Sequence, residues 1–170
     1  DPAGVGPELV LRVLAEPAWR RRLRIVLYGN ATLLQRVAQA VRVPWPGDLQ
    51  VLPAAGAGEN LPDAAVPLLL DFPMAEAATL VPGRVQPACG GMAAAWIEAA
   101  ARDALAGRID GIVTAPINKH ALHLAGVPYP GHTEMLAALT GATRTAMLFW
   151  SPDLIVSLAT IHLALSDVPR

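Results

Sequence analysis

Leu23-Arg24-Ile25-Val26-Leu27-Tyr28-Gly29-Asn30, running straight into Ala31-Thr32-Leu33-Leu34-Gln35-Arg36-Val37-Ala38-Gln39-Ala40-Val41, decides the fold class. The first part, Leu23 to Tyr28, is a short apolar run that stops at a Gly-Asn pair, the pattern of a buried strand ended by a turn. The second part changes period. Leu33, Leu34, Val37 and Val41 recur at helical spacing and predict a helix over 31–41.

The alternation continues outward on both sides. Upstream, Gly6-Pro7-Glu8 opens a helix, with Pro and Glu suited to its first turn and Leu9, Val10, Val13 and Leu14 as its apolar face. Downstream, the Pro- and Gly-rich segment from Val43 to Pro87 reads as short strands, including Leu49–Leu52 and Pro67–Phe72, joined by loops. The Ala-rich run Gly91–Leu105 predicts a helix ended by Gly107, since Ala is the best helix former. Gly111–Thr114 reads as a strand that stops at Ala115-Pro116. Ile117–Leu124 follows as a helix closed by Gly126, and His132 or Thr133 opens another that ends by Gly141. Thr145–Trp150 and Leu154–Thr160 are strands either side of the turn Ser151-Pro152-Asp153. Strands alternating with helices predict an α/β protein whose mainly parallel sheet is covered on both faces, with an antiparallel addition near the end.

Composition narrows the function classes. The chain has 170 residues, 54% hydrophobic and 16% charged, enough for one domain with a real core. A net charge of -1 gives no electrostatic reason to expect DNA, RNA or an acidic membrane as partner. No apolar run approaches the ~20 residues needed to span a bilayer. The single cysteine, Cys89, cannot form an internal disulfide and fits a reducing, cytoplasmic compartment. No signal peptide is visible. The first residues, Asp1-Pro2-Ala3-Gly4, and the last, Ser166-Asp167-Val168-Pro169-Arg170, read as a turn and as the opening of a helix. The expectation is therefore that residues 1–170 are not a whole protein.

Three polar clusters lie at predicted strand or helix ends, where open α/β sheets bind ligands. The first is Thr114-Ala115-Pro116-Ile117-Asn118-Lys119-His120. Twelve of the thirteen basic residues are Arg, and Lys119 is the only lysine. It falls in the first turn of a helix, where the dipole disfavours a cation. It reads as an ammonium kept for a purpose or as a solvated lysine on a turn. The second cluster is Pro128-Tyr129-Pro130-Gly131-His132-Thr133-Glu134. A helix N-terminus with a close-approaching Gly and the donors of His132 and Thr133 suits a phosphate or carboxylate; an ordinary Thr cap with Glu134 favouring the dipole fits as well. The third is His162, after an apolar strand, which reads as a metal ligand, an acid/base or a satisfied strand-end histidine. His120 and His123 share a helix with no third partner and read as surface, and Cys89 reads as a small buried filler. There is no P-loop, no G-x-S-x-G elbow and no complete dinucleotide fingerprint.

Asp1-Pro2-Ala3-Gly4-Val5-Gly6-Pro7-Glu8, the Thr114–Lys119 run, Pro130–Glu134 and Thr160-Ile161-His162-Leu163-Ala164-Leu165-Ser166-Asp167-Val168 occur in an order and spacing that resemble the 4-hydroxythreonine-4-phosphate dehydrogenase family of vitamin B6 biosynthesis. The resemblance implies an α/β/α sandwich of the isocitrate and isopropylmalate dehydrogenase type, two lobes about a cleft, and a homodimer with its active site at the subunit interface. It implies that His132 and Thr133 bind substrate, that His162 binds a divalent metal (Zn, Mg or Co), and that Lys119 has a supporting catalytic role. It implies that 1–170 is an N-terminal portion of the enzyme: the other metal ligands and the NAD (or NADP) contacts are expected downstream, and the family's first strand is expected upstream of Asp1. The implied reaction oxidises 4-phosphohydroxy-L-threonine to a β-keto acid that loses carbon dioxide to give 3-amino-2-oxopropyl phosphate. The neighbouring alternatives are a paralogue acting on 4-phospho-threonate or 4-phospho-erythronate, and a non-catalytic binding domain of the same fold. A phosphate acyltransferase of related fold is disfavoured by His162 at its motif position.

Overall fold

A computed structural model describes residues 1–57, 61–62, 66–160 and 163–169. The helices are α1 (Gly6–Ala15), α2 (Pro17–Arg20), α3 (Ala31–Val41), α4 (Ala54–Ala57), α5 (Pro87–Leu105), α6 (Lys119–Leu124) and α7 (His132–Thr140). The strands are β1 (Val26–Gly29), β2 (Gln50–Pro53), β3 (Leu68–Asp71), β4 (Leu148–Trp150) and β5 (Ile155–Ser157). β1, β3 and β2 form a parallel sheet in that spatial order, and β4 and β5 form a separate antiparallel pair. The fold is α/β, with a parallel sheet and a small antiparallel one, as the alternation of periods predicts.

The opening stretch folds as read, with β1 ending at Gly29 and α3 spanning residues 31–41. Asn30 makes the handover. Its Oδ1 accepts the Leu33 amide at 2.9 Å, capping α3, while its Nδ2 donates to the Phe72 carbonyl at 2.8 Å. Asp71, at the end of β3, accepts the Ala31 amide at 2.8 Å. The carboxyl ends of β1 and β3 are thus tied together by the cap of the helix between them, which satisfies donors that would otherwise be orphaned.

The sheet is covered on both faces. Leu27 and Leu69 are register partners on one face, and they pack with Leu11 and Leu14 of α1 and Leu34 and Ala38 of α3. Each such leucine removed from water contributes about 1.5–3 kcal/mol. The alternate residues Tyr28 and Leu70 point to the opposite face. There the Tyr28 hydroxyl donates to Asp103 of α5 at 2.6 Å, and Arg108 donates to the other Asp103 oxygen at 2.6 Å. Burial pushes the Tyr28 phenol up, and its bond to Asp103 adds to this. α5 also carries a further apolar cluster, in which Ala94 and Ile97 meet Leu122 of α6 and Met135 of α7.

Several expectations are corrected. The buried side of α1 is Leu11 and Leu14, while Leu9 and Val13 are exposed, so the face is rotated from the one predicted. α5 starts at Pro87, ahead of Gly91, because Pro is tolerated at a first helical position. β4 and β5 are shorter than their apolar runs. Gly111–Thr114 is not a strand, and Val113 is 100% exposed. A strand exists through its ladder, and among the described residues none pairs with this segment.

Candidate functional site

α6 begins where Asn118 caps it, its Oδ1 accepting the Ala121 amide at 3.0 Å. Lys119 is therefore the first helical residue, and its side chain is exposed, with no ion-pair partner among the described residues. α7 begins at His132 with Gly131 at the cap position and no side chain capping it. Thr133 is thus not a cap, as the plainer reading of this segment had it. The first intrahelical bond runs from the Met135 amide to the Gly131 carbonyl at 3.2 Å. The amides of the first turn, His132 to Glu134, have no acceptor among the described residues, which leaves the positive end of the helix dipole open.

The fold brings these two helix starts together. Gly131 is buried and extended, and a Cβ placed on it would lie 3.6 Å from Lys119 Cε and 4.0 Å from Lys119 Nζ. The Glu134 carboxylate, 3.3 Å from the same point, shares the corner. The lysine stem thus lies within ordinary contact distance of this position, at the mouth of α7.

His132 sits beside them, half-buried. Its Nε2 is buried with no hydrogen-bond partner. Burial lowers its pKa, which favours the neutral ring. A neutral imidazole with an unsatisfied nitrogen is a ready partner for a polar ligand atom. The N-terminal turn closes the neighbourhood. The Asp1 backbone nitrogen donates to the Pro116 carbonyl at 3.2 Å, and a Cβ on Gly6 would lie 2.9 Å from the Ala115 Cβ. Asp1-Pro2-Ala3-Gly4, Ala115–Lys119 and Gly131–Glu134 therefore meet around one corner.

Thr133 is exposed on the first turn of α7. His162, read as a metal ligand, lies outside the described residues. His120 and His123 are exposed on α6, as expected of surface residues. Among the described residues no three His, Cys, Asp or Glu side chains gather as a metal site. An open groove of about 560 Å³, lined by residues including Pro2, Glu8, Arg36 and Leu80, contains none of the candidate residues. The capping role of Asn118, a member of the first cluster, and the packing role of Gly90 were not assigned from the sequence. The first was readable as an Asn directly before a helix. The second has no local signal: it allows α5 and α6 to touch, since a Cβ there would lie 2.0 Å from the Ala121 carbonyl oxygen.

The sequence profile of the pyridoxal phosphate biosynthetic protein PdxA family matches residues 21–170. The chain belongs to the PdxA family. Among its relatives, the 4-hydroxythreonine-4-phosphate dehydrogenase of Trichlorobacter lovleyi is 35% identical over 99% of this chain and 49% of its own length. The D-threonate 4-phosphate dehydrogenase of Salmonella typhimurium is 36% identical over 97% of this chain and 49% of its own. The crystal structure of 4-hydroxythreonine-4-phosphate dehydrogenase from Klebsiella pneumoniae superposes with a TM-score of 0.83 at 37% identity, covering 98% of this chain and 49% of that one. This PdxA-family chain thus spans about half the length of the relatives it matches. None of the helices of its described residues is long and apolar enough to cross a membrane.

Proposed function

We propose that this chain carries the substrate-anchoring part of a dehydrogenase that oxidises a small 4-phosphorylated hydroxy acid, with 4-phosphohydroxy-L-threonine as the favoured substrate. The observation that supports it best is the corner where Lys119, the open amides of α7 and the unpartnered His132 Nε2 converge. A dianionic substrate suits an ammonium beside a helix N-terminus, and the Thr133 hydroxyl adds a donor on the same turn. Binding energy at this end positions the reacting carbon without taking part in bond-making.

The reaction removes a hydride from the carbinol carbon and a proton from its hydroxyl. The resulting β-keto acid loses carbon dioxide to give 3-amino-2-oxopropyl phosphate. When bound, NAD or NADP supplies the hydride acceptor, and a divalent metal (Zn, Mg or Co) supplies a Lewis acid. His162 is the proposed metal donor in this chain. One imidazole does not make a site, and the described residues offer no donor set to complete it. We place the enzyme in the cytoplasm as a homodimer; the free, buried Cys89 thiol suits a reducing compartment.

A second reading is oxidation of D-threonate 4-phosphate, favoured by relatives of that name at 36% identity. The two substrates differ at the amino group. The test uses a chimera in which these 170 residues replace the matching half of the Klebsiella pneumoniae enzyme, with NADH formation followed on each substrate. Turnover of 4-phosphohydroxy-L-threonine is expected. Turnover of D-threonate 4-phosphate alone would move the assignment to the second reading, and binding without turnover of either would leave a binding domain. The isolated chain is expected to show no turnover, and measurable NADH formation by it would contradict that.

A further inference from the structure

Asp103 is the one buried carboxylate among the described residues, 5% exposed, and the chemistry proposed above makes no use of it. Its Oδ2 accepts the Tyr28 hydroxyl at 2.6 Å, and its Oδ1 accepts Arg108 Nη2 at 2.6 Å and Nε at 3.1 Å. Burying a carboxylate is costly even when it is paired, and packed apolar residues in its place are often as stable. The best-attested use of such a cluster is to select one arrangement among several. Tyr28 lies on β1 and Asp103 in the last turn of α5, so the bond between them runs from sheet to helix. The rest of the buried side of α5 is Cys89, Gly90, Ile97 and five alanines. Methyl groups make shallow ridges, so such a face resists sliding weakly. A hydrogen bond does resist it, because its strength falls steeply as length and angle leave the optimum.

The other end of α5 carries the candidate site. Gly90, 13 positions before Asp103 and about 20 Å along the helix, abuts the Ala121 backbone of α6. Ala94 and Ile97 hold Leu122 of α6 and Met135 of α7. Lys119 and His132, at the starts of those helices, are therefore mounted on α5. The turn they meet, Asp1 to Gly4, leads into α1, which packs on the opposite face of the sheet through Leu11 and Leu14. The corner thus joins parts held on two faces of one sheet, and its geometry depends on where α5 sits along β1. We infer that Asp103 is a positioning residue for this corner: the Tyr28–Asp103–Arg108 strut fixes α5 along β1 and so sets where Lys119 and His132 stand. Asp103 acts through the helix. Its consequence for binding rests on the corner being the substrate anchor, and the experiment separates the two claims.

The experiment uses the same chimera, with every variant held well below its melting temperature. Tyr28→Phe cuts the sheet-to-helix bond and leaves Arg108 in place. Leu49→Ala is the control, since it opens a cavity in the cluster on the other face and destabilises without touching the strut. The first readout is NMR of the His132 ring, without substrate, in protein carrying isotope-labelled histidine. The ring resonances should move in Tyr28→Phe and stay in place in Leu49→Ala. The second is the dissociation constant of 4-phosphohydroxy-L-threonine. It should rise about tenfold in Tyr28→Phe, because a misplacement of about 1 Å is enough for a loss of that size, and be unchanged in Leu49→Ala. A strut that only stabilises would lower the melting temperature of Tyr28→Phe and leave the ring resonances as in the wild type, and that result would overturn the inference. Equal movement of the ring in Leu49→Ala would overturn it too, as would wild-type affinity in Tyr28→Phe where Lys119→Ala binds weakly. If Lys119→Ala alone leaves the affinity unchanged, the anchor reading fails, and the ring resonances still decide the positioning role by the same outcomes.

Discussion

Replacing Gly90 by alanine would put a methyl group 2.0 Å from the Ala121 carbonyl oxygen, 2.2 Å from its carbon and 2.6 Å from the Leu122 amide nitrogen. All three are backbone atoms, so no rotamer change relieves the clash. To reach ordinary contact at 3.4 Å, α6 must retreat from α5 by about 1.4 Å. That shift draws Leu122 away from Ile97 and Met135, and moves Lys119 at the head of α6 relative to Gly131. Overpacking of this severity costs about 3 kcal/mol. Alanine in a helix returns about 1 kcal/mol relative to glycine. The net loss of about 2 kcal/mol corresponds to a melting temperature lower by about 4–8 °C. Gly91→Ala is the internal control. It gains the same helix propensity, and its new Cβ meets only the Ala125 Cβ, at 3.8 Å. That variant should melt at the wild-type temperature or up to about 4 °C above it. Circular dichroism melts of both variants make the comparison. A Gly90→Ala protein as stable as Gly91→Ala would refute the close α5–α6 contact and the placement of Lys119 that depends on it.

Tyr28→Phe removes the donor to Asp103 and leaves a buried carboxylate held by Arg108 alone. It should cost about 1–3 kcal/mol in urea unfolding, and no loss would mean the strut is not formed. His132 has a folded pKa below its ordinary value, so below about pH 6.5 the unfolded chain binds a proton that the folded chain refuses. Its contribution to stability is therefore intact above about pH 6.5 and is lost as pH falls through the folded pKa. His132→Gln should flatten the stability profile in that window, and an unchanged slope would remove the cause. Burial raises the Cys89 pKa, and its thiol is 1% exposed, so alkylation of the native protein should be slow and unfolding should release it. Rapid native labelling would contradict the packing of Cys89 against Ala3, Leu33 and Leu80.

The elements readable from sequence were those whose signal is local. α3 carries its own cap in Asn30 and its own apolar period, so it was predicted to the residue. α7 and its end at Gly141, in the left-handed region with φ 68°, were equally local. Gly111–Thr114 was not, because the same apolar run makes a strand only when a neighbour supplies the ladder. The rotated face of α1 was fixed by which side met Leu34 and Leu69, a tertiary choice between two apolar stripes. At the candidate site, the residue types at 119, 132 and 133 were legible as possibilities, each with a bland alternative. What the sequence lacked was distance. The approach of Lys119 to Gly131 depends on Gly90, which lies 29 positions before Lys119 and carries no motif.

The most direct test is the dissociation constant of 4-phosphohydroxy-L-threonine for the chimera and for its Lys119→Ala, His132→Gln and Thr133→Ala variants, measured by calorimetry. Loss of one charge-assisted or buried hydrogen bond should weaken binding by about tenfold or more in each, with melting temperatures held within about 2 °C. Unchanged affinity in all three, in proteins that remain folded, would contradict the assignment of this corner as the substrate anchor.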